Sequence, residues 1–131
     1  MIRVLANFTN DDYEEEKYDE LEGTALGRIQ IKRSFDGAIE GSSSAELLTA
    51  TAPDGSAAYV ALDVVSGKLD GREGGFVLEH HGTVSPAGSS TAGSIVPGSG
   101  SGELQGLRGE CEILVDADGN HQLALDYELD A

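Results

Sequence analysis

Short runs of alternating apolar and polar residues, separated by clusters of glycine, repeat along the whole chain. Alternation with a period of two residues is typical of β-strands with one buried face, and Asp-Gly pairs mark the turns between such strands. In GRIQIKRSF, Ile29, Ile31 and Phe35 share one face with an arginine, while the opposite face is polar. Helical periodicity is absent, except that residues 11–21 could form one short turn capped by Asn10. The pattern predicts an all-β sandwich or barrel.

The size and charge of the chain indicate how many domains it forms and which partners it does not bind. A chain of 131 residues is expected to form a single domain, spanning residues 1–131. Its formal net charge of -16 repels phosphate groups, so we expect no nucleic-acid partner and no binding to anionic membranes. Carboxylates crowd residues 9–24, and we expect this acidic N-terminal segment to be a mobile, solvated flap. An edge that attracts cations is the alternative.

Cysteine content and hydropathy predict the cellular location of the protein. Cys111 is the only cysteine, so no internal disulfide can form. The N-terminus lacks the apolar core of a signal peptide, and no run approaches the ~20 apolar residues of a membrane span. We therefore expect a soluble, cytoplasmic protein.

Turn lengths decide which residues of neighbouring strands share a face. A loop of two or four residues centred on Asp54-Gly55 would place Glu46 opposite Asp63, whereas a loop of three or five residues would not. A turn centred on Asp70-Gly71 places Asp63 opposite residue 78 or 80. The inward face is then predicted to carry Glu46, Leu48, Tyr59, Asp63, Phe76, Leu78 and His80.

The opposite face of the same three strands is also fairly apolar, with Leu62, Val64 and Val77. An apolar outer face suggests that another subunit covers it, so we expect a homo-oligomer, either a dimer or a trimer. At the C-terminus, a three-residue loop would pair Val115 with Leu123, and we expect that register because apolar residues then meet.

Several stretches carry a family resemblance: FDGAIEGSSSAELLTA, GKLDGREGGFVLEHHGTV, IVPGSGSGELQGLRGE and a closing LDYEL. They resemble a bacterial family of small proteins of unknown function, and FTNDDYEEEKYDE is similar to its N-terminal segment, with Tyr13 where Trp is expected. The resemblance covers roughly the whole chain. It implies an antiparallel, closed or nearly closed barrel of about eight strands, similar to allene oxide cyclase (calycin-like). Such a barrel encloses side chains or one small ligand.

Three residues are candidates for catalysis: Glu46, Asp63 and His80. Two carboxylates and an imidazole on one inward face suit general acid–base work, such as an isomerisation or cyclisation without an organic cofactor. A buried polar network that satisfies itself and fixes the strand register is the alternative. Adjacent residues of a strand point to opposite faces, so His80 and His81 do not chelate one ion together, and we expect neither a metal nor a cofactor.

The leading functional expectation is the binding of a small, largely apolar molecule in the barrel lumen. Candidate ligand-binding residues are Leu48, Tyr59, Phe76, Leu78, Glu103 and Tyr127. Two alternatives stay open: an acid–base isomerase or cyclase, and a structural or assembly subunit whose barrel is filled. A lumen filled by side chains would favour the structural or assembly subunit.

Overall fold

Nine β-strands form one antiparallel sheet in the computed structural model, which describes residues 1–130. The strands are β1 (Ile2–Leu21), β2 (Thr24–Gly37), β3 (Ile39–Thr51), β4 (Ala57–Leu69), β5 (Arg72–Ser85), β6 (Gly88–Ile95), β7 (Ser101–Gly102), β8 (Arg108–Val115) and β9 (His121–Glu128). Pairing runs from β1 through β2, β3, β4, β5, β6, β8 and β9 back to β1, while β7 lies against β5. The predicted all-β fold of about eight strands is therefore confirmed as a ring of eight antiparallel strands.

The first strand, β1, extends well beyond the end of β9, which pairs with it on one side. Residues 2–8 pair with β9 and residues 6–21 pair with β2, so beyond Phe8 this strand is bonded on one side only among residues 1–130. The short helical turn expected at residues 11–21 is wrong, because these residues continue β1 and are paired with β2 through two register shifts. Within residues 1–130 no helix is long and apolar enough to span a membrane.

The loop between β3 and β4 overturns one predicted register. Thr51 pairs with Ala57, so the loop contains the five residues 52–56, and it is closed by a 2.7 Å hydrogen bond from Ala52 N to Ser56 O. Asp63 consequently pairs with Ala45 and not with Glu46. A shift of one residue turns every β3 side chain to the opposite face.

The turn between β4 and β5 agrees with the prediction. Leu69 pairs with Arg72, which leaves Asp70 and Gly71 as a two-residue turn with positive φ angles of 49° and 83°. Positive φ at both positions is the geometry that Asp-Gly favours in a tight hairpin. Asp63 therefore lies opposite Leu78, one of the two predicted positions.

The last hairpin has the predicted faces but a different register. Val115 pairs with His121 and not with Leu123, because the loop contains the five residues 116–120. The Asp116 carboxylate organises this longer loop by accepting 2.9 Å hydrogen bonds from the backbone N–H groups of Asp118 and Asn120. A shift of two residues keeps each side chain on its face.

Two apolar clusters occupy the interior of the ring. The larger, which we name the plugged-end cluster, is closed by Leu104 and Leu107 from the segment between β7 and β8, each no more than 2% exposed. The smaller, which we name the Tyr59-end cluster, consists of Ile29, Ile31, Ala45, Leu47 and Ala61, with the partly exposed Tyr59 packed against it. Burial of both clusters supplies the main driving force for closing the ring.

Candidate functional site

A layer of buried polar residues separates the two apolar clusters. Along β4, Asp63 lies between Ala61 of the Tyr59-end cluster and Val65 of the plugged-end cluster. Arg33 on β2 lies in the same way between Ile31 and Phe35. The layer consists of Arg33, Ser43, Asp63 and His80, whose exposed fractions are 5%, 5%, 3% and 3%. We name these four residues the polar layer.

A chain of hydrogen bonds crosses the polar layer to the Tyr59 end. His80 Nε2 lies 3.1 Å from Asp63 Oδ2, and the Tyr59 hydroxyl lies 2.9 Å from His80 Nδ1. A carboxylate can only accept a hydrogen bond, so His80 Nε2 carries the proton and donates a hydrogen bond to Asp63 Oδ2. In the neutral imidazole Nδ1 then accepts from the Tyr59 hydroxyl. The geometry therefore fixes both the tautomer and the direction of the chain.

Arg33 supplies the positive charge of the layer. Its Nε lies 3.4 Å from Asp63 Oδ2, and its guanidinium carbon lies 5.2 Å from the centroid of the Phe8 ring. A charge buried this deeply is tolerated only beside an opposite charge, and the aromatic face adds a second favourable contact. Arg33 and Asp63 together form a neutral pair inside the ring.

The surroundings shift the acidity of Asp63 and Tyr59. Burial raises the pKa of Asp63, but the hydrogen bond from His80, the charge of Arg33 and the nearby Ser43 hydroxyl outweigh it and hold the pKa below its usual value. Burial raises the pKa of Tyr59 to about 12. At neutral pH the layer therefore contains an ionised carboxylate and Tyr59 is a neutral phenol.

Three buried polar atoms of the layer lack a hydrogen-bond partner. They are Arg33 Nε, Ser43 Oγ and Asp63 Oδ1. Arg33 Nε faces Asp63 Oδ2 at 3.4 Å without hydrogen-bond geometry, and the Ser43 hydroxyl lies near enough to Asp63 to lower the pKa of that carboxyl. Burying a polar atom without a partner costs about 1–3 kcal/mol, so native proteins contain few of them. The three atoms comprise one donor, Arg33 Nε, one acceptor, Asp63 Oδ1, and one hydroxyl, Ser43 Oγ, that can donate or accept.

The structure places the sequence-predicted residues in three locations. Asp63 and His80 meet in the polar layer, with Tyr59 at its border. Glu46 and Leu48 were predicted to point inward, and this is wrong, because the five-residue loop turns β3 over. Glu46 lies on the outer surface, where its carboxylate accepts a 2.9 Å hydrogen bond from Gln30.

The remaining candidates for ligand contact are divided between interior and surface. Phe76, Leu78 and Tyr127 are at most 4% exposed and belong to the plugged-end cluster. Glu103, also a candidate for ligand contact, is exposed and accepts a 3.0 Å hydrogen bond from the backbone N–H of Glu73. It therefore closes a loop against β5.

Sequence reasoning missed two members of the layer, Arg33 and Ser43. The signal for Arg33 was present, because it shares a face with Ile31 and Phe35 in an otherwise apolar row. Ser43 gave no comparable signal, since it stands in a run of three serines. Among residues 1–130 no group of three or more His, Cys, Asp and Glu side chains is positioned to hold a metal ion.

The comparisons with known proteins agree with this architecture. The family model described as a protein of unknown function, DUF3224, matches residues 4–127, and the chain therefore belongs to this family. A crystal structure of a DUF3224 protein of unknown function from Shewanella oneidensis MR-1 is 35% identical in sequence, with a TM-score of 0.85. That similarity covers 100% of this chain and 98% of the other chain. No curated protein matches the sequence.

Proposed function

We propose that this protein binds a small, largely apolar molecule at the Tyr59 end of the ring, and that the polar layer orients it. The observation that carries the proposal is the set of unpaired polar atoms at Arg33, Ser43 and Asp63. A ligand with one polar group would supply one of the missing hydrogen bonds, while its apolar body would lie against the Tyr59-end cluster. A ligand would enter past Tyr59, which is partly exposed, and it would displace side chains of the Tyr59-end cluster, because the polar layer is at most 5% exposed.

Indole is a suitable probe, because it combines an apolar body with a single N–H donor for Asp63 Oδ1. We expect indole to shift the side-chain NMR signals of His80 and Tyr59, which border the same layer. Asp63→Asn keeps the size of the side chain but removes the charged acceptor, and it should weaken binding roughly tenfold, the value of one hydrogen bond. The control is Asp54→Asn, which changes an exposed turn carboxylate in the same way. Shifts confined to surface residues, or equal affinity in both variants, would refute lumen binding.

An acid–base isomerase is the second candidate, and the chain from Tyr59 through His80 to Asp63 favours it. In the proposed step a substrate proton passes to the Tyr59 oxygen while the Tyr59 proton passes to His80 Nδ1. Asp63 stabilises the resulting imidazolium, and the reverse transfers return a proton to a different substrate atom. The step is balanced without any cofactor.

The exchange of the α-hydrogens of cyclopentanone with D2O, followed by NMR, tests this second candidate. His80→Ala should slow the exchange at least ~100-fold while indole binding persists. Tyr59→Phe should slow it as well, because the phenylalanine ring lacks the hydroxyl that receives the substrate proton. Exchange at an equal rate in wild type and His80→Ala would exclude a catalytic role for the imidazole.

A cytoplasmic location remains part of the proposal. It is supported by the single cysteine, Cys111, which is buried and unpaired. Proteins of oxidising compartments that are this small commonly carry disulfides.

A further inference from the structure

Four large apolar side chains form a continuous strip on the outer face of β3 and β4. Leu48, Val60, Leu62 and Val64 are 50%, 56%, 56% and 56% exposed. The register makes them neighbours, because Leu48 pairs directly with Val60, and Leu62 and Val64 follow Val60 at alternate positions of β4. We name this group the outer strip. Contiguous apolar surface of this kind marks an interaction site more often than scattered exposed residues do.

Leu48, Val60 and Leu62 of the outer strip form the floor of a groove. The groove has a volume of about 730 Å³, and its margins include Tyr18 of β1, Arg28 of β2, and His81 of β5. We propose that a second copy of this chain packs on the outer strip and forms a symmetric dimer. His80 also borders the groove, but the side chains of the outer strip lie on the outer face and those of the polar layer are buried in the ring, so this inference does not depend on the proposed function.

The charges that flank the outer strip are complementary to those of a second copy. On the β2 side Arg28 and Lys32 are exposed, and Arg28 is paired at 3.3 Å with Glu46 of β3. On the β5 side Glu79 is half-buried and accepts a hydrogen bond from Ser94. A two-fold axis parallel to β4 places the β2 side of one copy over the β5 side of the other. Lys32 would then face Glu79 of the second copy, while the apolar residues meet at the centre and Glu46, which lies beside Leu62, keeps Arg28 and Gln30 of its own copy as partners.

The size of the surface predicts a weak dimer. From β1 to β5 the surface is roughly 20 Å wide, and seven residues of β4 are about 23 Å long. This footprint is about 450 Å² in projection, which lies toward the small end of specific interfaces, below ~600 Å² for each partner. The net charge of -16 on each copy opposes association, so added salt should strengthen the dimer by screening the repulsion.

Sedimentation velocity on the full chain, over a range of protein and salt concentrations, tests the proposal. We expect a reversible change from one copy to two, with a dissociation constant in the micromolar range or weaker and lower at higher salt. Val60→Glu should weaken association at least tenfold. The control is Val115→Glu, which introduces the same charge at a residue that is 61% exposed on β8, away from the outer strip.

A charge reversal tests the orientation of the two copies. Glu79→Lys should weaken the dimer, and combining it with Lys32→Glu should restore most of the affinity. A protein that stays monomeric at every concentration and salt level would overturn the proposal. So would equal dimerisation of wild type and Val60→Glu, or an equal loss in Val115→Glu.

Discussion

The buried pair of Arg33 and Asp63 makes a quantitative prediction about stability. Arg33→Met removes the cation and leaves the Asp63 carboxylate buried with His80 as its remaining hydrogen-bond partner. Asp63→Leu leaves the guanidinium without its counter-charge. Breaking a buried ion pair from one side typically costs about 3–5 kcal/mol, and both side chains here are at most 6% exposed, so solvent screening does not reduce this value.

The double variant separates charge pairing from packing. If the two single costs were additive, the double variant would lose about 6–10 kcal/mol, comparable to the whole stability of many domains. We expect a smaller loss, with a coupling energy of about 2–3 kcal/mol, because removing both charges leaves neither of them isolated. A chain of 131 residues has a stability of about 7–20 kcal/mol, so the single variants should still fold.

Urea unfolding monitored by far-ultraviolet circular dichroism provides the measurement, since the chain contains no Trp for fluorescence. Arg28→Met is the matched control. Arg28 is on the same strand as Arg33 but on its outer face, and it lies 3.3 Å from Glu46 of β3, nearly the distance found in the buried pair. The main difference between the two pairs is exposure, although Arg33 also lies over the Phe8 ring, and Arg28→Met should have little effect. Additive costs in the double variant, or an Arg33→Met variant as stable as Arg28→Met, would refute the reasoning.

Three further predictions concern single groups. Spectrophotometric titration should show two of the four tyrosines ionising near pH 12, with Tyr59→Phe and Tyr127→Phe each removing one late step. Because these folded-state pKa values lie above the unfolded value of about 10, their contribution to stability is present below pH 10 and is lost as pH rises through about 12. The pKa of Asp63 is lowered in the fold, so its contribution is present above about pH 4 and is lost in more acidic solution; urea unfolding of Asp63→Asn should depend less on pH there. Gly93→Ala should reduce the free energy of unfolding by more than the same change at Gly55, because its Cβ would lie 2.3 Å from Glu79 O and 2.6 Å from His80 Cβ. At Gly55 no atom lies within 4 Å of a Cβ, so the positive φ of 88° is the source of strain there, about 1–2 kcal/mol.

Local chemistry predicted the strands and one register, but it did not predict every loop length. At Asp70-Gly71 the sequence permits a tight turn with two positive φ angles, and the structure contains that turn. At Asp54-Gly55 a similar dipeptide lies inside a five-residue loop, where the Asp54 carboxylate accepts a hydrogen bond from Ser56 N. An Asp-Gly pair therefore indicates a turn without specifying how many residues the turn contains.

The uncertain loop lengths also explain why only part of the candidate site was predicted. Leu47 and Leu48 are adjacent on β3, so both faces of the strand are apolar and hydropathy does not show which of them is inside. The inward side chains at Ser43 and Ala45 are small, which made this face less recognisable as the buried one. Asp63 and His80 were brought together because their register depends only on the tight turn between β4 and β5.

The one-sided pairing of β1 beyond Phe8 has a consequence for solubility. Among residues 1–130 its outer edge has no strand partner along residues 9–21, and such an edge is a template on which another chain can add a strand. Its dense carboxylates make edge-to-edge contact between identical copies electrostatically unfavourable. The acidic segment would then keep this edge from starting fibril-like association while leaving the outer strip free to pack side chain against side chain. If these carboxylates are neutralised, by acid or by substitution with amides, aggregation should begin at this edge of β1.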